Sequence, residues 1–117
     1  SSQSLYDPDL FLQEQMTAYI YAHYAEKISL ADIAASGNVS RSTCARLFEK
    51  YSGKTPIEFL NTYRLEQSAV FLKTTDRTIA DIASSCGYWQ QFQKEYGVTP
   101  RVFRRTCRPE PSALKAA

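Results

Sequence analysis

The sequence predicts an all-α fold, and three observations carry that prediction. Apolar residues recur at helical spacing along nearly the whole chain, no stretch alternates with the period of two that a half-buried strand needs, and helix caps and stops punctuate the chain at regular intervals. Seven helices follow. The first runs from about Pro8 to Ala25: Asp7 can cap it, Pro8 suits the first turn, and Leu12, Met16, Tyr19, Ile20 and Tyr24 form a stripe to bury. His23 borders that stripe and reads as a packed or rim residue rather than a ligand. The second helix starts at Ser29, where Ser29-Leu30-Ala31-Asp32 fits a capping box, and it buries Leu30, Ile33 and Ala34. It stops near Gly37-Asn38, since Asn tolerates the left-handed conformation of tight helix exits.

The third helix starts at Ser40 and is closed by Gly53. Cys44, Leu47, Phe48 and Tyr51 form its apolar face, and Arg41, Ser42, Ala45, Arg46 and Lys50 lie opposite. The fourth opens at Thr55-Pro56 and continues to about Lys73, with Ile57, Phe59, Leu60, Tyr63, Ala69 and Leu72 as its apolar contacts. The fifth repeats the second, with Thr78-Ile79-Ala80-Asp81 as its cap and Gly87 as its stop. The sixth contains Trp89 to Tyr96, and the seventh opens at Thr99-Pro100. The tail after Arg108 is expected to fray.

Composition narrows the function classes. The 117 residues are 44% hydrophobic and 22% charged, as in a soluble globular protein. No apolar run approaches the ~20 residues that span a bilayer, so no membrane partner is expected. The opening Ser1-Ser2-Gln3-Ser4 lacks the layout of a signal peptide and reads as an expression scar, which makes the cytoplasm the expected location. The three cysteines, Cys44, Cys86 and Cys107, are far apart and there is one histidine, so neither a zinc site nor a cysteine–histidine catalytic pair is expected. We therefore expect a binding protein without cofactor or metal, not an enzyme. The net charge of +2 is distributed unevenly: residues 1–35 carry five acids and one base, a net of −4, whereas residues 36–117 carry thirteen bases and seven acids, a net of +6. A positive surface on the later part of the chain is where phosphates would sit.

The chain also repeats its own grammar. Ala-Asp-Ile-Ala occurs at 31–34 and at 80–83; Phe48 and Phe92 each stand five residues before a glycine, and each glycine is followed by x-Thr-Pro. A short capped helix, a tight turn and a second amphipathic helix together describe a helix-turn-helix. Two such lobes, residues 8–55 and 74–108, are joined by a linker helix over 56–73 and followed by the tail 109–117. In this motif the first helix braces the second, whose exposed face enters the major groove of double-stranded DNA. The linker helix would be roughly 27 Å long, able to set two reading helices into successive major grooves about 34 Å apart. A helical protein–protein interaction module is the alternative, and the salt dependence of duplex binding separates the two.

The segments Ile28-Ser29-Leu30-Ala31-Asp32-Ile33-Ala34, Ser40-Arg41-Ser42, Arg46-Leu47-Phe48, Gly53-Lys54-Thr55-Pro56 and Tyr63-Arg64-Leu65 resemble the first half of the DNA-binding domain of the AraC/XylS family of bacterial transcription regulators. Ile79-Ala80-Asp81-Ile82-Ala83, Gly87-Tyr88 and Phe92-x-Lys94-x-Tyr96-Gly97-Val98-Thr99-Pro100 resemble its second half. The resemblance implies binding to promoter DNA, with activation through contact with RNA polymerase. It places Ser42, Ala45 and Arg46 toward bases, Arg46 foremost because a guanidinium can bond guanine O6 and N7 together, with a phosphate contact as the alternative role of Arg46. Arg41 and Lys50 would meet phosphate, together with Lys54 and Thr55 at one helix start and Thr99, Arg101 and Arg105 at another, where helix N-termini offer free backbone N–H groups.

The resemblance has one departure. Asn38 to Gly53 spans fifteen positions but Gly87 to Gly97 only ten, and the family carries about six more residues in that second interval, where the reading helix begins. The best-fitting place for them is between Tyr88 and Trp89, which puts Trp89 and Gln90 in the middle of the second reading helix as base contacts, Trp89 packing on sugar or a thymine methyl. Alternatively Trp89 is a core residue. Either the residues belong to the natural chain and are missing here, or the deletion is genuine; the register kept around the gap favours the first.

Overall fold

Asp7 starts the first helix as its composition foretells. Its Oδ1 accepts the Asp9 N–H at 3.0 Å, and α1 runs over Pro8–His23. The computed structural model describes residues 6–86 and 91–108. α1 ends two residues before the expected Ala25 because the Glu26 N–H bonds back to the His23 carbonyl at 2.9 Å and closes a turn. His23 lies at the rim, its ring 4.4 Å from that of Tyr19 and its Nδ1 2.5 Å from Glu26 Oε2.

α2 (Leu30–Ser36) begins with a complete capping box: Ser29 Oγ accepts the Asp32 N–H at 3.2 Å and Asp32 Oδ2 accepts the Ser29 N–H at 2.9 Å. At its exit Asn38 takes the left-handed conformation (φ 55°), whereas Gly37 keeps φ −98°. The glycine serves close approach instead: a Cβ on Gly37 would stand 2.8 Å from Met16 Cγ and 3.1 Å from its Sδ. Because Met16 is fully buried, Gly37→Ala should destabilise the protein by about 1–2 kcal/mol, the cost of overpacking less the gain from a stiffer unfolded chain. An unchanged denaturation midpoint would show that Met16 yields without strain.

α3 (Arg41–Ser52) is capped by Ser40, whose Oγ accepts the Thr43 N–H at 3.2 Å, and is stopped by Gly53 at φ 70°. α4 spans Pro56–Thr74. The first core gathers Met16 and Ile20 from α1, Ile33 and Ala34 from α2, Cys44, Leu47 and Phe48 from α3, and Leu60 from α4, with Tyr51, Phe59 and Tyr63 packed at its margin. Phe48 meets Phe59 edge-on at 5.4 Å. One expected core residue is corrected: Ile57 is 39% exposed, because Pro56 and Leu60 take the inward direction of that turn and leave Ile57 about 100° away from it.

The chain divides into two compact units between Tyr63 and Arg64, within α4 rather than at its ends, so α4 supplies residues to both. The second unit adds α5 (Ile79–Cys86), α6 (Phe92–Tyr96) and α7 (Pro100–Cys107). Thr78 Oγ1 accepts the Asp81 N–H at 3.0 Å, and Thr99 Oγ1 accepts the Val102 N–H at 3.3 Å. Leu65, Ala69, Leu72, Ile82, Cys86 and Phe92 are buried, and Phe92, Tyr96 and Phe103 stack within 5.5 Å of one another. Leu65 and Ser68 escaped the sequence reading of α4. The Arg104 guanidinium donates to the carbonyls of Leu72 (3.2 Å), Thr75 (3.3 Å) and Phe71 (3.5 Å) at and just past the C-terminal end of α4. Among the described residues there are seven helices and no strand, as the periodicity predicts.

Candidate nucleic-acid interface

α3 has two faces of opposite character. Cys44, Leu47 and Phe48 point into the core and are fully buried. Ser42, Arg46 and Glu49, about half a turn away, are exposed, as are Ala45 and Lys50 at the margins of that face and Arg41 at the start of the helix. The N-terminal part of this outer face carries small side chains: Ala45 is a bare methyl, and the Ser42 hydroxyl stands 3.2 Å from the capping Ser40 hydroxyl. Its cations lie at both ends. Arg41 makes no ion pair among the described residues. Arg46 Nη1 and Lys50 Nζ share one partner, Asp9 Oδ2 in the first turn of α1, at 3.6 and 3.5 Å.

A second acid holds the same corner. The Tyr51 hydroxyl donates to Asp7 Oδ2 at 2.6 Å, and Lys50 Nζ lies 5.0 Å from the centre of the Tyr51 ring. The Tyr51 hydroxyl bond, more than any other influence, holds the Asp7 carboxyl below its ordinary range. The same bond raises the Tyr51 phenol. Tyr51, with Asp9 and Asp7 adding to it, raises Lys50, so Lys50 is a full cation at neutral pH. Sequence reasoning found the cations but not Asp7, Asp9 and Tyr51 as their neighbours; the five acids concentrated in residues 1–35 were the available signal.

The helix starts proposed for phosphate differ from each other. At α4 the Thr55 N–H donates to Glu58 Oε1 at 3.0 Å and the Glu58 N–H donates to Thr55 Oγ1 at 3.1 Å. The expectation of free amide donors at Thr55 is thus corrected: a capping box takes the Thr55 and Glu58 N–H groups, and Glu58, held below the usual carboxylate range first by the Thr55 backbone bond, places a negative charge there. Lys54 beside it is half-buried, and its N–H donates to Ser52 Oγ at 3.3 Å. At α7 no acid stands in the first turn; Thr99, Arg101 and Arg105 are exposed, whereas Arg104 is committed to the α4 carbonyls. Trp89, Gln90 and the Tyr88–Trp89 junction lie outside the described residues.

Two of the three cysteines are enclosed, and Cys107 at the end of α7 is exposed. Cys44 and Cys86 are buried, and burial pushes the Cys44 thiol up to about 11 and raises that of Cys86. Among the described residues no helix is long and apolar enough to cross a membrane.

A family model described as a helix-turn-helix domain matches residues 33–106, well over half of the chain. A transcriptional regulator from Chromobacterium violaceum, described as of the AraC-type DNA-binding domain-containing proteins, superposes with a TM-score of 0.76 at 26% identity, over 85% of this chain and 95% of that one. The chain belongs to the AraC/XylS family. The HTH-type transcriptional regulator YdeC of Bacillus subtilis (strain 168) is 32% identical over an alignment of 98 positions that covers 79% of this chain and 34% of that protein. The chain thus spans about a third of the length of this relative. The DNA-binding domain of AdpA, a global transcriptional factor solved in complex with a target DNA, superposes with a TM-score of 0.77 at 27% identity, covering 84% of this chain and 96% of that domain.

Proposed function

We propose that this AraC/XylS domain binds double-stranded DNA sequence-specifically by laying the outer face of α3 in the major groove. The observation that carries this reading is the braced helix itself. Phe48 and Leu47 pin one face in the core while Arg41, Arg46 and Lys50 flank the small residues Ser42 and Ala45 on the other. Small side chains let the helix approach base edges closely, and the cations meet the phosphates on either side. Arg46 reads a base, Ser42 and Ala45 make short contacts beside it, and Arg41 and Lys50 anchor the backbone. In the second unit Thr99 and Arg101 at the start of α7 are the phosphate contacts, with Arg105 one turn further on, and Trp89 and Gln90 are the base contacts that the family resemblance assigns. Lys54 serves as a charge near phosphate, and Thr55 acts as the cap of α4 ahead of any contact of its own. The role is binding and not catalysis, in the cytoplasm and without a cofactor. Within a longer regulator it serves transcription activation, with RNA polymerase as the protein partner.

Titration of the domain into a labelled random-sequence duplex should show tight binding at low ionic strength. The affinity should fall steeply, by roughly a factor of ten or more, between about 50 and 200 mM salt. Selection from a random duplex pool should then recover a sequence held far more tightly than the pool. A domain that ignores every duplex at low ionic strength would rule out this function and leave a protein-interaction module as the better account.

A further inference from the structure

We propose that Asp9 is an internal counter-ion that competes with DNA for Arg46 and Lys50 and so sets the affinity of this face for duplex. The inference rests on the reading of α3 as the DNA-contacting helix and adds a residue from a different helix to it. A single carboxylate oxygen stands within 3.6 Å of both cations. Its position is well defined. Asp9 sits in the first turn of α1, its backbone N–H is held by Asp7, and Asp7 is in turn held by the Tyr51 hydroxyl from the last turn of α3. The Asp9 side chain is 35% exposed, against 57% for Arg46 and 49% for Lys50, so the acid is the more enclosed member of the group.

At 3.5 and 3.6 Å these contacts are longer than the 2.7–2.9 Å of a strong charge-assisted hydrogen bond. They are pairs that a phosphate or a guanine edge can displace, not a permanent lock. Displacement has a cost for the complex, however. Arg46 and Lys50 give up part of their neutralisation when they turn to DNA, and Asp9 is left facing a polyanion and recruits a solution cation. Each effect weakens binding, and the second subtracts from the net release of counter-ions that drives it.

The test is Asp9→Asn, which keeps the size of the side chain and removes its charge. Glu14→Gln serves as the control: Glu14 is exposed on the same helix and makes no ion pair among the described residues, and the change in net charge is identical. Asp9→Asn should bind a labelled random-sequence duplex about two- to ten-fold more tightly at low salt, the range expected for releasing one or two exposed ion pairs. The plot of log affinity against log salt should also become steeper, by up to about one unit of slope. Asp9→Ala should act in the same direction, and Glu14→Gln should move both quantities much less. The inference is overturned if Asp9→Asn binds like the parent, binds more weakly, or is matched by Glu14→Gln, the last showing that net charge alone matters. A parent protein that binds no duplex would defeat the proposed function itself, so the two failures are distinct.

Discussion

Replacing Phe48 by alanine should destabilise the first unit by about 3–5 kcal/mol. Phe48 is one of the largest fully buried side chains, and it joins α3 to the start of α4 through its edge-on contact with Phe59 at 5.4 Å. Truncation removes most of the ring and leaves a cavity among Leu47, Ile33 and Leu60, side chains already close-packed and unable to close it fully. Domains of this size have total stabilities of about 5–15 kcal/mol, so the loss is a large share. Urea denaturation followed by circular dichroism measures it directly. Duplex binding should weaken with it, because the outer face of α3 is presented only while its inner face is anchored. A loss below about 1 kcal/mol would mean that Phe48 does not brace α3.

Arg46→Ala should leave folding nearly untouched and weaken binding to a selected duplex by about 1–3 kcal/mol, roughly five- to 150-fold. Arg46 is well exposed and its ion pair with Asp9 is long, so little stability depends on it. A bidentate guanidinium on guanine is lost for the selected site, whereas the random duplex loses only one nearby charge. The selected site should therefore suffer more than the random one, and one base position should lose its preference when selection is repeated on the variant. Equal losses on both duplexes would make Arg46 a phosphate contact and refute its role in base reading.

Most of the helical architecture was legible from local chemistry. Ser29 with Asp32, Thr55 with Pro56, and Thr99 with Pro100 are helix-start signals contained within four residues, and a cap satisfies the same orphan amides wherever the helix goes, although the closing of the Thr55 cap by Glu58 appeared only in the structure. The stripe Cys44, Leu47, Phe48 on α3 follows from helical period alone, as does the outward placing of Ser42, Ala45, Arg46 and Lys50, whereas Arg41 is exposed because it opens the helix. The exposure of the outer face of α3 was therefore readable from the sequence, whereas Trp89 and Gln90 lie outside the described residues.

What packing alone settled concerns residues whose neighbours are distant in the chain. Asn38 makes the left-handed turn, as its residue type predicts, but only the packing shows that Gly37 is needed because Met16 of α1 crosses against it. Ile57 satisfies the helical pattern, but the direction of the core at that turn is fixed by Pro56 and Leu60. Asp9 and Lys50 are 41 positions apart, and only the docking of α1 on α3 brings that acid to the cations of the reading face. Hydrogen bonds within a turn depend on a handful of adjacent residues and can be inferred from their order. Contacts between helices depend on crossing angles and side-chain volumes summed over the whole core, which no short stretch of sequence contains.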